Sequence, residues 1–428
     1  MFNVKYNFLV LIQIFLNTLN ALLLIKVFGV SAQVDSYLLA TSIVLTMQLV
    51  QLVFFEQFLV FYTDLKTESI EKSNNLYNAV LFWSSVLGVV SVVVLFLVKS
   101  LVFKLFVFDI DTQRLAYLNS ISIILFSGLI FMPVISLNEK LLNAEMKFSI
   151  PYILTSLPTF FIVIAQLAVW LLNFDKIIYL AYGQVFGLAL SAIIGTAFIA
   201  KKLVPFKFVP KHSEIIPLLK NSFTTRMGDN IYNMLLPVFL NNVLVTMSAG
   251  TVSYFYYAKK IIDTLKQLTV GPPAKILRTS LTNSWVTKNV VEIRQNIRKF
   301  LKGSILLMLG GIVLAFLILP TTLKIISMGK LSDNDLMNIN YIFLSLCPWH
   351  LLVLIEAPYI LAIFTAKKSK VAIFANSLFI VTFIIIALLL RDSSGVYSIS
   401  IAGLLAQFIN YIIYKKYTEQ LLESFNSN

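Results

Sequence analysis

The sequence consists of a regular succession of apolar runs, each about long enough to cross a lipid bilayer. A hydrocarbon core of about 30 Å takes about 20 apolar residues of α-helix to cross. Of all residues, 58% are hydrophobic and only 13% are charged, against about 25% charged in soluble domains, so a water-soluble core cannot hide these runs. The chain is therefore predicted to be an all-α integral membrane protein with about 12 transmembrane helices. These helices are predicted near residues 6–26, 36–62, 77–98, 116–137, 150–173, 177–200, 221–246, 251–278, 300–320, 338–364, 370–390 and 396–414.

The basic residues are unevenly distributed between the two sets of connecting segments. If the chain starts in the cytoplasm, the inner segments contain 22 Lys and Arg residues and the outer segments contain 8. Because cytoplasmic segments of membrane proteins carry the excess of Lys and Arg, both termini are predicted to be cytoplasmic. The same bias explains the net charge of +14 without a nucleic-acid partner.

A basic segment with three prolines divides the chain near its middle. Residues 201–220 read as a cytoplasmic linker between an N-terminal lobe, 1–200, and a C-terminal lobe, 221–428, of six helices each. A short repeat supports this division, since SAQVDSY at Ser31–Tyr37 has a counterpart in SAGTVSY at Ser248–Tyr254. Each copy begins the second predicted helix of its half at the external face. Halves repeated in the same orientation are a pattern of secondary transporters, with the cargo held between them.

Several charged residues fall within the eighth predicted helix. Lys259 and Lys260 lie about 15 Å below the external face, near the middle of the bilayer, where a charge costs several kcal/mol unless it faces water or a partner. Lys259, Asp263 and Lys266 share one helical face, and Lys260 points about 100° away. The stripe has two interpretations: an internal Lys259–Asp263 ion pair with Lys266 reaching the cytoplasmic edge, or the lining of a cavity.

Other charged residues are candidates for ion coupling or for structural pairing. Arg226 and Asp229 share a face of the seventh predicted helix and either form a salt bridge or face a cavity. Glu56, in the second helix, reaches a similar depth. Glu356, in the tenth helix, either carries a proton or a cation or lies at the aqueous edge. Asp263 completes the set of candidate coupling carboxylates.

The first predicted helix carries amide side chains on one face. Gln13, Asn17 and Asn20 are spaced so that they either line a cavity or hydrogen-bond to a neighbouring helix. Together with the lysines, they predict a hydrated cleft in which positive charge exceeds negative charge. Such a cleft attracts an anionic cargo such as a phosphate or pyrophosphate headgroup.

No enzyme motif accompanies these residues. The chain has no phosphate-binding glycine loop with a lysine, and its two histidines, His212 and His350, lie in different halves outside any HExxH spacing. We therefore predict a transporter that uses no cofactor and no metal site. Transport is expected to couple to a proton or sodium gradient or to the membrane potential.

Three segments resemble the multidrug/oligosaccharidyl-lipid/polysaccharide exporter superfamily, in particular its lipid II flippase branch. They are VFGVSAQVDSYLLA at 27–40, AGTVSYFYYAKKI at 249–261 and LKIISMGKLSDNDLMN at 323–338. The resemblance implies two six-helix lobes that form a V around a central cavity, alternating access, and export of sugars linked to polyprenyl pyrophosphate. It also implies that Lys26 and Lys260 stand where lipid II flippases have cavity arginines, and that Glu56 matches an acidic position of the family.

The predicted function is translocation of a polyprenyl-pyrophosphate oligosaccharide from the inner to the outer leaflet of a bacterial cytoplasmic membrane. About twelve helices, where lipid II flippases have fourteen, favour an O-antigen or other polysaccharide repeat unit as cargo, with a polysaccharide polymerase as a further partner. The predicted substrate contacts are Lys259, Lys260, Arg226, Lys26, Gln13, Asn17 and Asn20. Three alternatives remain open: a lipid II flippase, a cation or drug antiporter of the same superfamily, and a membrane-embedded glycan polymerase or glycosyltransferase.

Overall fold

The computed structural model describes residues 4–54, 57–174, 176–366 and 368–426. All regular structure in this part of the chain is helical, which confirms the all-α prediction. The α-helices are α1 (Val4–Phe28), α2 (Ala32–Val53), α3 (Phe58–Glu68), α4 (Ile70–Leu97), α5 (Lys99–Phe106), α6 (Thr112–Ser127), α7 (Met132–Ala144), α8 (Ser149–Leu171), α9 (Ile178–Lys202), α10 (Ile215–Val245), α11 (Thr251–Thr269), α12 (Gly271–Val286), α13 (Val290–Ser327), α14 (Asp333–Thr365), α15 (Ser369–Ser394) and α16 (Tyr397–Asn426). A 3₁₀ turn, Gly128–Ile130, joins α6 to α7.

Within the described residues, nine segments are long and apolar enough to cross a membrane. They correspond to predicted helices two to six and nine to twelve. Predicted helix one coincides with α1, helix seven with α10, and helix eight with α11 and α12. Of these, α11 is too highly charged to be recognised as a membrane span by its composition. Its 19 residues include four charged ones, Lys259, Lys260, Asp263 and Lys266. The charges that mark α11 as a candidate site therefore also weaken its signal as a membrane span.

The surfaces of the long helices are apolar where they are exposed. In α13, only 11% of the most apolar stretch is buried, and side chains such as Leu306, Leu307 and Leu317 are more than half exposed. A continuous apolar surface of this kind is unfavourable in water and favourable against acyl chains. The structure is therefore that of a multi-pass membrane protein.

The chain divides into two compact units, Met1–Val238 and Phe239–Asn428, and the division falls inside α10. The same helix pairings recur in both units. In the first unit, α2 packs on α6, α4 on α7, α7 on α9, and α8 on α9; in the second, α11 packs on α14, α13 on α14, α14 on α16, and α15 on α16. When the predicted spans are numbered from the start of each half, the pairings are the same in both units. The second span packs on the fourth, the third on the fourth, the fourth on the sixth, and the fifth on the sixth. The V-shaped arrangement of the lobes and the cytoplasmic termini stay predictions.

The two copies of the short repeat begin equivalent helices and tie them to equivalent partners. Ser31 caps α2 by accepting a hydrogen bond from the Val34 amide, and Asp35, one turn into α2, forms an ion pair with Arg114 of α6 at 3.7 Å. In the second copy, Tyr254 of α11 donates a hydrogen bond to Asp335 in the first turn of α14. Each motif therefore fastens the second span of its unit to the fourth at the predicted external end.

Arg114 is the centre of the first of these contacts. Its side chain is 5% exposed, and it is paired both with Asp35, which is fully buried, and with Asp111, the N-cap of α6. Desolvation opposes ionisation of Asp111, but the hydrogen bonds and charge of Arg114 hold the pKa of that carboxyl below its ordinary value. At the opposite end of the same two spans, Lys66 pairs with Glu145 at 2.5 Å. Ion pairs therefore fix both ends of this helix pair.

Residues 203–214, the non-helical part of the predicted linker, lie against α4. Asn78 donates a hydrogen bond to the Pro205 carbonyl at 3.1 Å and accepts one from the Lys207 amide at 3.2 Å. Trp83 donates to the Pro210 carbonyl at 3.0 Å. These contacts attach the segment to the first unit, because its backbone groups are satisfied by side chains of that unit.

Close packing of α4 on the 3₁₀ turn generates the first prediction. A Cβ atom at Gly88 would lie 2.3 Å from the backbone oxygen of Ile130, whereas one at Gly310 would meet nothing within 4 Å. We expect Gly88→Ala to destabilise the protein by about 1–3 kcal/mol, because backbone must move to admit the methyl group. Gly310→Ala, a glycine in an exposed helix interior, should leave stability equal or higher. Thermal unfolding of both variants and of wild type in detergent measures these effects. Equal melting temperatures for Gly88→Ala and wild type would contradict the close packing at Gly88.

The buried ion pair at the start of α2 generates the second prediction. Arg114→Met should destabilise the protein by about 3–5 kcal/mol, because it removes the guanidinium from the buried Asp35 carboxylate. The double variant Arg114→Met with Asp35→Asn should recover part of that loss. Lys72→Met is the control, since the Lys72–Glu68 pair is exposed and worth at most about 1 kcal/mol. Chemical denaturation of wild type, Arg114→Met, Asp35→Asn and the double variant gives the coupling free energy, and a value near zero would refute the role of the pair.

Candidate substrate and ion sites

The amides of α1 form a polar seam with α8. Gln13 donates to the Thr155 hydroxyl at 3.4 Å, and Asn17 accepts from the Thr159 hydroxyl at 3.3 Å. Asn20 accepts from Gln166 at 2.8 Å, and Gln166 also donates to the Asn20 carbonyl. In this structure the three amides therefore hydrogen-bond to a neighbouring helix, which is one of the two interpretations given for them above. A substrate contact for Asn17 or Asn20 would have to exchange for one of these bonds.

Gln13 also borders a cavity of about 550 Å³ at the predicted cytoplasmic end of α7 and α8. The other polar side chains around this cavity are Glu139, Asn143, Tyr152 and Thr155. The structure thus places Gln13 beside open space within its own unit.

Lys26 lies in the last turn of α1, with its ammonium nitrogen 3.8 Å from the centre of the Trp170 ring. An ammonium group over an indole face gains a cation–π attraction of about 0.5–2 kcal/mol. The Lys26 side chain is half-buried, and its partner on α8 is the aromatic ring of Trp170. Its predicted role as a substrate contact stays a prediction.

The charged stripe of α11 is an ion-paired row. Lys259 contacts Asp263 at 2.5 Å, and Lys266 lies 3.8 Å from the other oxygen of the same carboxylate. The three side chains are 35%, 38% and 30% exposed. The internal ion pair considered for this stripe is therefore present, and it neutralises much of the positive charge of Lys259.

Lys260 differs from its neighbour. Its side chain is half-buried, and it forms no hydrogen bond or ion pair with any residue that the structure describes. In the low-dielectric interior of the helical unit, a lone ammonium is far more strongly attracted to an incoming anion than a paired one. Among the α11 lysines, Lys260 is thus the one available to bind an anionic group.

Three of the predicted residues cannot be placed. Arg226 and Asp229 belong to α10, but their side chains lie outside the described part of the structure. Glu56 falls between α2 and α3, outside the described residues. Their roles as a substrate contact and as coupling carboxylates stay predictions.

Glu356 is 1% exposed and is therefore enclosed by protein. It accepts a hydrogen bond from Gln407 and another, of 3.3 Å, from Asn410, both on α16. Gln407 in turn accepts a hydrogen bond of 3.2 Å from the Trp349 indole. Sequence reasoning missed Gln407 and Asn410, although two amides spaced i, i+3 within an apolar span are the same kind of signal that identified the α1 seam.

Comparison with known proteins places the chain in a family of transporters. A family model described as lipid II flippase MurJ matches residues 24–427. No curated protein matches the chain. Among solved structures, a lipid II flippase MurJ in an inward closed conformation superposes with a TM-score of 0.80 at 17% identity, covering 96% of this chain and 87% of that one.

Two further structures extend the similarity across the superfamily. An inward-facing multidrug resistance MATE family transporter gives a TM-score of 0.81 at 12% identity, covering 96% of this chain and 95% of that one. A MOP superfamily transporter from Pyrococcus furiosus gives 0.66 at 14% identity, with coverages of 99% and 95%. At these identities the structures show a shared fold.

The family match and the shared fold confirm the predicted superfamily and support a transporter rather than an enzyme. They also favour the lipid II alternative over the O-antigen type of cargo. Because the family model matches residues 24–427, almost the whole chain, this chain belongs to the lipid II flippase MurJ family.

Proposed function

We propose that this protein moves lipid II from the inner to the outer leaflet of a bacterial cytoplasmic membrane. The observation that carries the proposal is the family match over residues 24–427, which covers almost the whole chain. The cargo replaces the O-antigen repeat unit expected from the number of helices, and both cargoes share a polyprenyl pyrophosphate carrier.

We assign the pyrophosphate to Lys260. Because Asp263 holds Lys259, the lone ammonium of Lys260 offers the stronger Coulomb attraction to the phosphate oxygens. Lys26 and Arg226 are additional proposed contacts, and Gln13, beside its cavity, is a proposed contact for the sugars. The polyprenyl tail remains in the hydrocarbon, where burial of its chain costs nothing.

Transport by alternating access requires the cargo to bind the two states of the protein with different affinities. A ligand that binds both states equally shifts no equilibrium, however tightly it binds. We propose that the inward-open state binds the pyrophosphate better than the outward-open state does, and that an ion gradient or the membrane potential returns the empty carrier.

Flipping of fluorescent lipid II in proteoliposomes tests the proposal. We expect wild-type protein to flip lipid II, and Lys260→Gln to reduce the rate about tenfold to a hundredfold, because a hydrogen bond to a charged group is worth about 1.5–3 kcal/mol. Lys259→Gln should have a smaller effect, since the Lys259 charge is already shared with Asp263. Lys260→Arg should retain most of the activity.

Lys302→Gln, an exposed lysine of α13, is the matched control and should flip at the wild-type rate. Two results would contradict the proposal. A wild-type protein that flips an O-antigen-type lipid but not lipid II would overturn the cargo, and an unaffected Lys260→Gln variant would overturn the binding residue.

A further inference from the structure

Of the two predicted coupling carboxylates that the structure describes, the more deeply buried lies in the second unit, between α14 and α16. Glu356 is 1% exposed, and the amides that contact it, Gln407 and Asn410, are 4% and 3% exposed. Within the described residues, Glu356 has no ion-pair partner. A carboxylate in such a place either is protonated or holds a bound cation, because a lone buried charge is too costly to keep.

The groups around Glu356 favour a proton over a metal cation. Each carboxylate oxygen accepts an amide N–H, from Gln407 on one side and from Asn410 on the other. Sodium and other hard cations require several oxygen ligands, and the N–H groups present their positive ends toward the place a cation would occupy. A proton needs only one carboxyl oxygen and an acceptor for the resulting O–H.

Gln407 has a fixed orientation. Its side-chain oxygen accepts a hydrogen bond from the Trp349 indole N–H, which cannot act as an acceptor, so its NH₂ group must point to Glu356. Trp349 is itself held by two rings of α15, Phe379 stacked at a centroid distance of 6.4 Å and Phe383 tilted at 6.0 Å. A Cβ atom at Gly403 would come within 2.3 Å of the indole. Rotation of Trp349, and with it of Gln407, is therefore blocked.

Asn410 has a buried oxygen that accepts no hydrogen bond. Its NH₂ group donates to Glu356 at 3.3 Å, while its side-chain oxygen has no donor among the described residues. A half-turn of this amide exchanges the two atoms and presents the oxygen to Glu356. The oxygen then accepts the O–H of a protonated Glu356. The cluster thus satisfies both forms of the carboxyl group, and Asn410 is the side chain that changes.

The other titratable groups on the helices packed against α14 have partners elsewhere or lie at helix ends. On α11, Lys266, Asp263 and Lys259 act electrostatically on His350 of α14. On α16, Lys415 lies over the ring of Tyr411, and Glu419 pairs with Arg294 of α13. Other titratable groups on these helices include Tyr359 on α14, Arg278 on α12, the charges near the two ends of α13, and Lys370, Arg391 and Asp392 at the ends of α15. None of these is hydrogen-bonded or ion-paired to Glu356 in the described structure.

We propose that Glu356 is a proton-binding residue, that Asn410 rotates as the proton binds and leaves, and that this exchange couples transport to a proton gradient. On protonation, a carboxyl oxygen of Glu356 forms an O–H bond that donates to the Asn410 oxygen; on release, the Asn410 NH₂ group returns to the carboxylate. The coupling rests on the proposed transport function, whereas proton binding at Glu356 does not. The two parts can therefore fail separately.

Infrared difference spectroscopy of the purified protein tests proton binding. Wild type should show the C=O stretching band of a protonated carboxyl group, which gives way to carboxylate bands as the pH is raised, and Glu356→Gln should lack this band. Glu419→Gln, which removes a partly exposed carboxylate from α16, the helix that carries Gln407 and Asn410, should keep it. Asn410→Ala should shift the band to higher frequency, because the O–H loses its acceptor. A wild-type spectrum that matches Glu356→Gln at every pH, or a band that never titrates, would overturn the proposal.

Flipping of lipid II in proteoliposomes tests the coupling. An imposed proton gradient should change the wild-type rate by up to about tenfold per pH unit, and should leave the rate of Glu356→Gln unchanged. A sodium gradient of equal size should have no effect on either protein. Transport that follows sodium but not protons would overturn the coupling. If lipid II is not flipped at all, the infrared titration still decides whether Glu356 binds a proton.

Discussion

A hydrocarbon interior offers no partner to a polar side chain, so each polar group inside a span must find one in the protein or face water. Several polar side chains of the described spans follow this constraint through contacts between helices. The amides of α1 bond to α8, Asp35 meets Arg114, and Glu356 meets two amides of α16. These contacts determine which helices are neighbours, because apolar side chains alone can pack against lipid as well as against each other.

The constraint also separates structural charges from available ones. Lys259 and Lys260 are adjacent in the sequence and lie at the same depth, yet only Lys259 reaches Asp263, one helical turn away on its own face. Lys260 points to another side of α11 and has no ion-pair partner among the described residues. For the proposed lipid II cargo, which carries a pyrophosphate, Lys260 is therefore the α11 lysine of greatest functional interest.

The two units solve the same packing problem with different side chains. In both, the second span is fastened to the fourth near the short SAxxxSY motif, but the first unit uses an arginine between two aspartates and the second uses a tyrosine and a capping aspartate. The second unit alone contains the buried carboxylate with its rotatable amide within the described residues. The repeated scaffold thus allows one unit to acquire a titratable centre without changing its helix pairings.

The amino-acid sequence by itself determined the class of fold, the positions of the spans and the superfamily, because apolar runs about 20 residues long and their charged borders are local properties of the chain. Helical spacing also placed Lys259 and Asp263 on one face. The tertiary structure decided what each polar residue contacts: that the α1 amides bond to α8, that Lys26 lies on Trp170, and that Glu356 is enclosed by Gln407 and Asn410. Those partners are tens to more than a hundred positions away in the chain, and no local pattern specifies them, since they depend on which helices pack together.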